Sequence, residues 1–113
     1  MDELLVERIL RAVECVPPGS VVTYGEVAEL VGTSARHVGN VMARFGHDVP
    51  WWRVTRADGR LADHVLDEAR ARWRAEGVPL AADGTGCELR RCRANLVELG
   101  RRYARRSADL PGD

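Results

Sequence analysis

Three cysteines are the residues of this chain that could act as nucleophiles. They are Cys15, Cys87 and Cys92, and a thiol attacks an electrophilic carbon only as its thiolate, which needs a neighbouring base or cation. Cys15 falls at the end of an apolar helical pattern, where burial would keep a thiol inert. The sequence has no CxxC pair, and its histidines are not spaced with the cysteines as metal ligands. We therefore expect no metal, no cofactor and reduced thiols, as in the cytoplasm.

A second feature with possible chemistry is the pair Trp51–Trp52, which stands between Pro50 and Arg53–Val54. An indole offers no lone pair for displacing an alkyl group, and its only polar group is an N–H donor. Its flat apolar face can, however, stack on a nucleobase. Without their neighbours, two tryptophans in a segment of strand propensity over 51–55 would indicate one buried and one half-exposed aromatic residue.

Amphipathic patterns predict the elements that would position these residues. Apolar residues at helical spacing predict helices over 3–15, 26–31, 35–44, 64–76 and 94–106. The fold class that follows is mainly α with a short β element.

The second and third predicted helices could form a helix-turn-helix. Thr23 and Glu26 have the spacing of a capping box, Gly32 is placed to end one helix, and Ser34 is placed to cap the next. Arg36 would then be exposed at the start of the second helix, where recognition helices meet DNA. Short helix pairs occur in many unrelated folds, so this pattern does not establish DNA binding by itself.

The charges are unevenly distributed, although the formal net charge is zero. All 17 basic residues are arginines, with five in residues 33–60 and seven in the last 27 residues, and arginine suits bidentate phosphate contacts. The sequence shows no secretion signal, and no apolar run approaches the ~20 residues of a membrane span. We expect a cytoplasmic protein with no membrane partner and with basic patches suited to nucleic acid.

Four segments, in order, resemble the DNA-binding, active-site domain of the O6-alkylguanine-DNA alkyltransferase family. They are 22–28 (VTYGEVA), 35–42 (ARHVGNVM), 49–54 (VPWWRV) and 75–78 (AEGV), and the resemblance covers 19–80. Repair-competent members have Pro-Cys-His-Arg-Val where this sequence has Pro-Trp-Trp-Arg-Val. The chain is similar to the alkyltransferase-like branch, whose members bind alkylated guanine without dealkylating it. That branch usually keeps the histidine, so Trp52 departs from its pattern.

The resemblance implies a winged-helix-like helix-turn-helix DNA-binding domain over 1–80. Residues 81–113 would form a basic carboxyl-terminal extension, a linker over 81–86 followed by a helix. The arginines of this helix could extend the DNA contact, dock a repair partner, or face solvent while the helix packs on the first one.

The resemblance also implies a pocket for a flipped, alkylated base. Trp51 would form its floor, with Trp52, Tyr24 and Val54 around it, and Arg36 would fill the gap in the base stack as an arginine finger. Tyr24 would press on the flanking phosphate, or it could be a buried structural tyrosine.

The implied DNA-binding surface extends along the predicted recognition helix. Its residues are Tyr24, Ser34, Ala35, Arg36, Gly39, Asn40 and Arg44. Small residues would permit close approach to the minor groove, and Ser34 could bind a phosphate, cap the helix or do both. Arg53 and Glu76 would give structural support, for instance by pairing with each other. The loop after Arg60 lacks the family's glycine-rich lid, which predicts an open pocket that admits bulky alkyl groups.

The sequence therefore predicts a monomeric, non-enzymatic sensor that flips O6-alkylguanine in double-stranded DNA and marks it for nucleotide excision repair proteins. Two alternatives stay open. A helix-turn-helix regulator without damage specificity would bind damaged and undamaged duplexes equally. A working alkyltransferase would use one of the three cysteines and would itself become alkylated.

Overall fold

Three helices form the amino-terminal half of the protein, in a computed structural model that describes residues 2–112. Helix α1 spans Glu3–Glu14, α2 spans Tyr24–Val31 and α3 spans Ala35–Phe45. Helices α2 and α3 pack closely on each other, and both contact α1. The three helices predicted here are confirmed, each within two residues at either end.

The turn between α2 and α3 has the predicted caps. Thr23 Oγ1 accepts a hydrogen bond from the N–H of Glu26, whose Oε1 accepts one from the N–H of Thr23, which completes the capping box. Gly32 ends α2 with a φ of 84°, a left-handed conformation that glycine adopts without strain. Ser34 Oγ accepts a hydrogen bond from the N–H of His37 at the start of α3. The predicted helix-turn-helix is confirmed.

A parallel pair of two-residue strands lies beneath these helices. Strand β1 (Val22–Thr23) pairs with β2 (Val54–Thr55), and all four residues are buried. The predicted strand over 51–55 is wrong in its first part, because Trp51–Arg53 forms a 3₁₀ turn. In this parallel register residues 51–53 lie opposite 19–21, and the backbone of Val21 bonds to Cys92 and Ala94 instead, so the ladder has only two residues on each strand.

The second half contains three further helices. A 3₁₀ turn over Asp63–Val65 leads into α4 (Leu66–Glu76), which is followed by α5 (Leu89–Cys92) and α6 (Leu96–Arg106). The single turn of α5 was not predicted, because one helical turn is too short to show a period. The last helix begins two residues later than predicted, because Asn95 is its extended N-cap and accepts a hydrogen bond from the N–H of Glu98.

Two apolar clusters form the core. The first lies among α1, α2 and α3, and Ala94 and Leu99 pack into it. The second surrounds the fully buried Trp73 of α4 and includes Cys87, Leu89 and Cys92. Residues beyond 80 thus enter both clusters.

The carboxyl-terminal segment is therefore part of the core. The N–H of Val21 donates to the carbonyl of Cys92, and the N–H of Ala94 donates to the carbonyl of Val21. The boundary at residue 80 stays a prediction about the reach of the family resemblance. In the packing, the apolar side chains after Gly86 continue the same interior, and α6 contacts α1.

Within residues 2–112, no helix combines the length and the apolar character that a bilayer span requires. In the same part of the chain, no three His, Cys, Asp or Glu side chains are grouped so that they could hold a metal ion.

Candidate nucleic-acid interface

Helix α3 is amphipathic, with one face in the core and one in solvent. Val38, Val41 and Met42 are buried. The exposed residues of the helix are Ala35, Arg36, Asn40, Ala43, Arg44 and Phe45. The helix therefore presents two arginines and an amide to solvent, with no acidic side chain along its length.

Arg36 is the second residue of α3 and is exposed, as predicted from its position. Within residues 2–112 its guanidinium has no hydrogen-bond or ion-pair partner. It lies beside the helix N-terminus, where free backbone N–H groups and the helix dipole already favour anions. Ser34, which caps this end, is exposed as well. This end of α3 is thus the part of the helix best suited to a phosphate or a base.

Gly39 is in the middle of α3, and its lack of a side chain is not needed for internal packing. A Cβ built at this position would meet no atom within 4 Å. Packing against a neighbouring helix therefore does not require a glycine here. The absence of a side chain at Gly39 instead allows another molecule to approach the surface of α3 closely.

A cavity of about 230 Å³ opens beside α3. Trp51, Tyr24 and Gly39 contribute to its wall. The other side chains include apolar ones, Met42, Leu61 and Val65, and polar exposed ones, His47, His64 and Glu68. The cavity combines an aromatic wall with a polar rim next to the exposed arginine face, which suits a planar base that carries an added apolar group.

Tyr24 is the first residue of α2 and packs against both core clusters while also facing the cavity. Burial raises the pKa of its phenol, and the charge of Arg56 opposes that effect. The hydroxyl therefore stays protonated at neutral pH and can donate a hydrogen bond. The partly buried position fits both predicted roles.

Two of the four residues predicted for the pocket lie elsewhere. Val54 is completely buried in β2, because its register opposite Val22 points it into the core. Trp52 does not line the cavity. The reason is the 3₁₀ turn, in which successive side chains diverge by about 120°, so that Trp51 and Trp52 face different ways.

Trp52 instead closes a polar network behind the cavity. Its Nε1 donates to Glu76 Oε2 at 2.8 Å, and the guanidinium carbon of Arg72 lies 4.6 Å from its ring centroid. Its ring meets that of Trp51 edge to face, with centroids 5.6 Å apart and planes at 87°. The main-chain carbonyl of Trp52 also accepts a 2.7 Å hydrogen bond from Nε1 of Trp73. Trp52 therefore braces Trp51 from behind.

The predicted Arg53–Glu76 pair is present in this network. Arg53 Nη2 lies 2.7 Å from Glu76 Oε2, and the side chains are only 13% and 12% exposed. Arg53 also donates to the carbonyl of Val16, and the N–H of Gly19 donates to Glu76. Burial alone would raise the pKa of Glu76, but the hydrogen bonds from Arg53, Gly19 and Trp52 outweigh it and lower that pKa. The carboxylate is thus ionised and holds three segments together.

Arg56 is a candidate contact that the sequence prediction did not include. It is exposed, directly follows β2 and acts electrostatically on the phenol of Tyr24. The sequence signal that could have identified Arg56 as a contact is its position two residues after the 49–54 segment.

All three cysteines are buried, and none lines the cavity within the described part of the chain. Burial raises the pKa of Cys15. A hydrogen bond with Cys92, together with burial, raises the pKa of Cys87. Cys15 and Cys87 therefore stay protonated near neutral pH and are weak nucleophiles. The same hydrogen bond with Cys87 lowers the pKa of Cys92, but Cys92 is buried away from the cavity.

Comparison with known proteins places this geometry in context. The family model of the 6-O-methylguanine DNA methyltransferase DNA-binding domain matches residues 5–78. A protein of Escherichia coli K12 named DNA base-flipping protein is 38% identical over 100 residues, which is 83% of this chain and 77% of that protein. Alkyltransferase-like protein 1 of Schizosaccharomyces pombe is 33% identical over 94 residues, which is 76% of this chain and 86% of that protein.

A solved structure is similar as well. The crystal structure of a Schizosaccharomyces pombe alkyltransferase-like protein in complex with DNA containing O6-carboxymethylguanine matches with a TM-score of 0.72 and 27% identity. The match covers 84% of this chain and 98% of that one. The family match over residues 5–78 includes the helix-turn-helix and the residues that line the cavity beside it.

Proposed function

This chain belongs to the family of the 6-O-methylguanine DNA methyltransferase DNA-binding domain, in its alkyltransferase-like, base-flipping branch, and we propose that it senses alkylated guanine in DNA without repairing it. The protein would bind the lesion as a monomer and leave the alkyl group in place. It would act in the cytoplasm on double-stranded DNA and require no cofactor.

The position of Trp51 is the observation that carries this proposal. Trp51 lies in the cavity wall, and the resemblance of segment 49–54 to the Pro-Cys-His-Arg-Val motif implies that it stands in the position of the nucleophilic cysteine of repair-competent members. Removing an alkyl group from a base requires a nucleophile at that point, and an indole cannot act as one. The thiols within residues 2–112 are buried elsewhere. The cavity can therefore accept a base and hold it against an aromatic face, but it supplies no acceptor for the alkyl group.

Entry of a base into the cavity requires that it leave the stack, which costs a few kcal/mol. Arg36 is exposed in the first turn of α3, the helix that lines the cavity, and its planar guanidinium can replace the stacking that the extruded base loses. We assign the arginine finger to this residue. Its freedom from internal partners within the described residues supports the assignment.

Phosphate contacts would hold the strand on either side of the flipped nucleotide. We assign them to Ser34 and the N-terminus of α3, to Tyr24, and to the exposed side chains of Arg44 and Arg56. Ala35, Gly39 and Asn40 would form the surface that approaches the groove, where small side chains allow close contact.

The complex would mark the lesion for nucleotide excision repair. A protein that binds the damaged base and performs no chemistry leaves the damage for other proteins to remove. Persistent occupation of the site is what distinguishes such a marker from a repair enzyme.

A competition experiment tests the proposal. Two duplexes of one sequence, with guanine or O6-methylguanine at the centre, would compete for the protein at one salt concentration, followed by an intact mass measurement. We expect preference for the methylated duplex and an unchanged protein mass. Equal affinities would indicate the helix-turn-helix regulator instead, and a methyl adduct on the protein would indicate an alkyltransferase.

A matched pair of variants tests the cavity wall. We expect Trp51→Ala to weaken binding of the methylated duplex by about tenfold to a hundredfold, because stacking on an aromatic side chain contributes about 1–3 kcal/mol per base. Trp51→Phe keeps an aromatic face and should retain most of the preference. Full retention by Trp51→Ala would show that the base does not occupy this cavity.

A further inference from the structure

A second cavity of about 330 Å³ lies where the carboxyl-terminal ends of α1 and α6 meet. Four arginines face it, together with one acidic residue, Glu14, and an apolar edge formed by Pro17–Pro18. The arginines are Arg53, Arg102, Arg105 and Arg106. We refer to this cavity as the arginine cleft. It shares no lining residue with the cavity beside α3.

The arginine cleft carries more positive charge than its neighbours neutralise. The carboxylate of Glu98 is shared by Arg101, Arg102 and Arg105, at distances of 3.8, 3.8 and 3.9 Å. Exposed pairs of this length are weak and are easily exchanged for a better partner. The side chain of Arg106 has no hydrogen-bond or ion-pair partner within residues 2–112. The cleft therefore has guanidinium groups available for an anionic ligand.

The 3₁₀ turn that carries the two tryptophans lies between the arginine cleft and the cavity beside α3. Trp51 at the start of this turn faces the cavity beside α3, whereas Arg53 at its end faces the arginine cleft. There Arg53 donates to the carbonyl of Val16 at 3.0 Å. A duplex that lies along α3 with a base against Trp51 would thus leave the arginine cleft open.

We propose that the arginine cleft binds a carboxylate-rich segment of a partner protein. Guanidinium forks match carboxylates in bidentate geometry, and Pro17–Pro18 adds an apolar edge for the aliphatic part of such a segment. The cleft also lies at the carboxyl-terminal ends of two helices, whose negative dipole ends oppose any anion, so binding requires several guanidinium contacts at once, which a segment with several carboxylates can make. Simultaneous occupation with DNA rests on the proposed function, whereas binding of the acidic segment does not.

Fluorescence polarisation with a short labelled peptide of alternating glutamate and aspartate tests the proposal. A peptide of glutamine and asparagine serves as the uncharged control, and each is measured with and without a saturating O6-methylguanine duplex. We expect the acidic peptide to bind in both conditions and the uncharged peptide to bind in neither.

Variants on α6 locate the site. We expect the double change Arg105→Ala and Arg106→Ala to weaken peptide binding by about tenfold or more, because it removes two charge-assisted partners, and to leave duplex binding unchanged. Arg101→Ala is the matched control, since Arg101 shares Glu98 but does not line the arginine cleft. A variant with both residues changed to lysine keeps the positive charge and controls for misfolding of the alanine variant. It should recover part of the affinity for the peptide.

Three outcomes would overturn the proposal. They are equal loss of peptide binding in Arg101→Ala, equal binding of the uncharged peptide, and displacement of the acidic peptide by the duplex, which would assign the cleft to the DNA surface. Failure of lesion preference with intact peptide binding would overturn the sensor function alone.

Discussion

Helices α3 and α6 both carry exposed arginines, yet they place them in opposite electrostatic settings. Arg36 is in the first turn of α3, at the positive end of the helix dipole, and the helix contains no acidic residue. In α6 the arginines occupy the middle and the last turn, near the negative end, and three of them share Glu98. The arginines of α6 therefore stabilise their own helix, whereas Arg36 opposes its helix dipole.

This difference teaches that the number of arginines does not locate the DNA-binding face. The last 27 residues contain seven arginines, but internal carboxylates occupy several of them. Arg36, Arg44 and Arg56 have no carboxylate partner within residues 2–112. Arg36 and Arg44 lie on α3, and Arg56 acts electrostatically on Tyr24 in the cavity wall. A cation that is unpaired and unfavourably placed for stability is better explained by an external partner.

The largest expected effect concerns the two helices directly. Arg36→Ala should weaken binding of an O6-methylguanine duplex by about tenfold to a hundredfold, because base extrusion costs a few kcal/mol that the finger offsets. Arg101→Ala on α6 removes the same charge and should change the affinity by less than about twofold. Equal losses in the two variants, measured by titration at one salt concentration, would erase the distinction between the helices.

A second prediction distinguishes the cavity wall from the hydrogen-bond network of Trp52 and Glu76 that supports it. Trp52→Phe removes the donor to Glu76 and should lower the free energy of unfolding by about 1–3 kcal/mol, because a part-buried acceptor loses a hydrogen bond. Trp52→His can keep an N–H donor and should lose less. Urea unfolding measures both variants. An unchanged stability in Trp52→Phe, with lesion preference lost, would instead put Trp52 on the binding face.

The same network should make the free energy of unfolding depend on pH in the acidic range. The pKa of Glu76 is lower in the folded protein than the ordinary glutamate value of about 4.3. A depressed folded-state pKa contributes stability above the unfolded-state value, and this contribution is lost as pH falls through the folded-state pKa. Unfolding measured at several pH values below about 5 should therefore show a smaller acid-dependent loss in Glu76→Gln than in the unchanged protein. Identical slopes would contradict an ionised, paired Glu76.

A smaller effect concerns Arg56, which sequence reasoning omitted. If about four phosphates are neutralised, the logarithm of affinity should fall against the logarithm of salt concentration with a slope of about −3 to −4. Arg56→Ala should reduce the magnitude of that slope by about one, as expected for one lost phosphate contact. Arg74→Ala, an exposed arginine on α4, should leave it unchanged.

Features that depend on residues close together in the sequence could be predicted, whereas features that depend on distant residues could not. The caps at Thr23, Gly32 and Ser34 depend on residues only a few positions apart, so α2, α3 and the exposure of Arg36 could be predicted. The orientation of Trp52 depends on Glu76, 24 residues away, and on the short length of β1. No local pattern contains that information, so Trp52 and Val54 were placed in the pocket wrongly.

The carboxyl-terminal half shows the same limit. Helix α5 and the chain crossing beside Val21 have no periodic pattern, and their positions follow from burial of Cys87, Leu89 and Cys92 against Trp73. The sequence could predict α6 as an amphipathic helix, but not which of its arginines have partners. That distinction required the position of the Glu98 carboxylate relative to each arginine, and it is the one that separates α6 from α3.

The smallest expected effect is also the most direct test of the comparison. A cation in the first turn of a helix costs about 0.3–1 kcal/mol through the helix dipole, and Arg36 has no hydrogen-bond or ion-pair partner within residues 2–112 to offset this. Arg36→Ala should therefore raise the free energy of unfolding by about 0.3–1 kcal/mol while it weakens lesion binding. On α6, Arg105→Ala removes a favourably placed cation and should lower stability by a similar amount. Changes of opposite sign in the free energies of unfolding of the two variants, measured in urea, would show that Arg36 serves binding at a cost to stability. If Arg36→Ala were destabilised instead, Arg36 would be a structural residue like the arginines of α6.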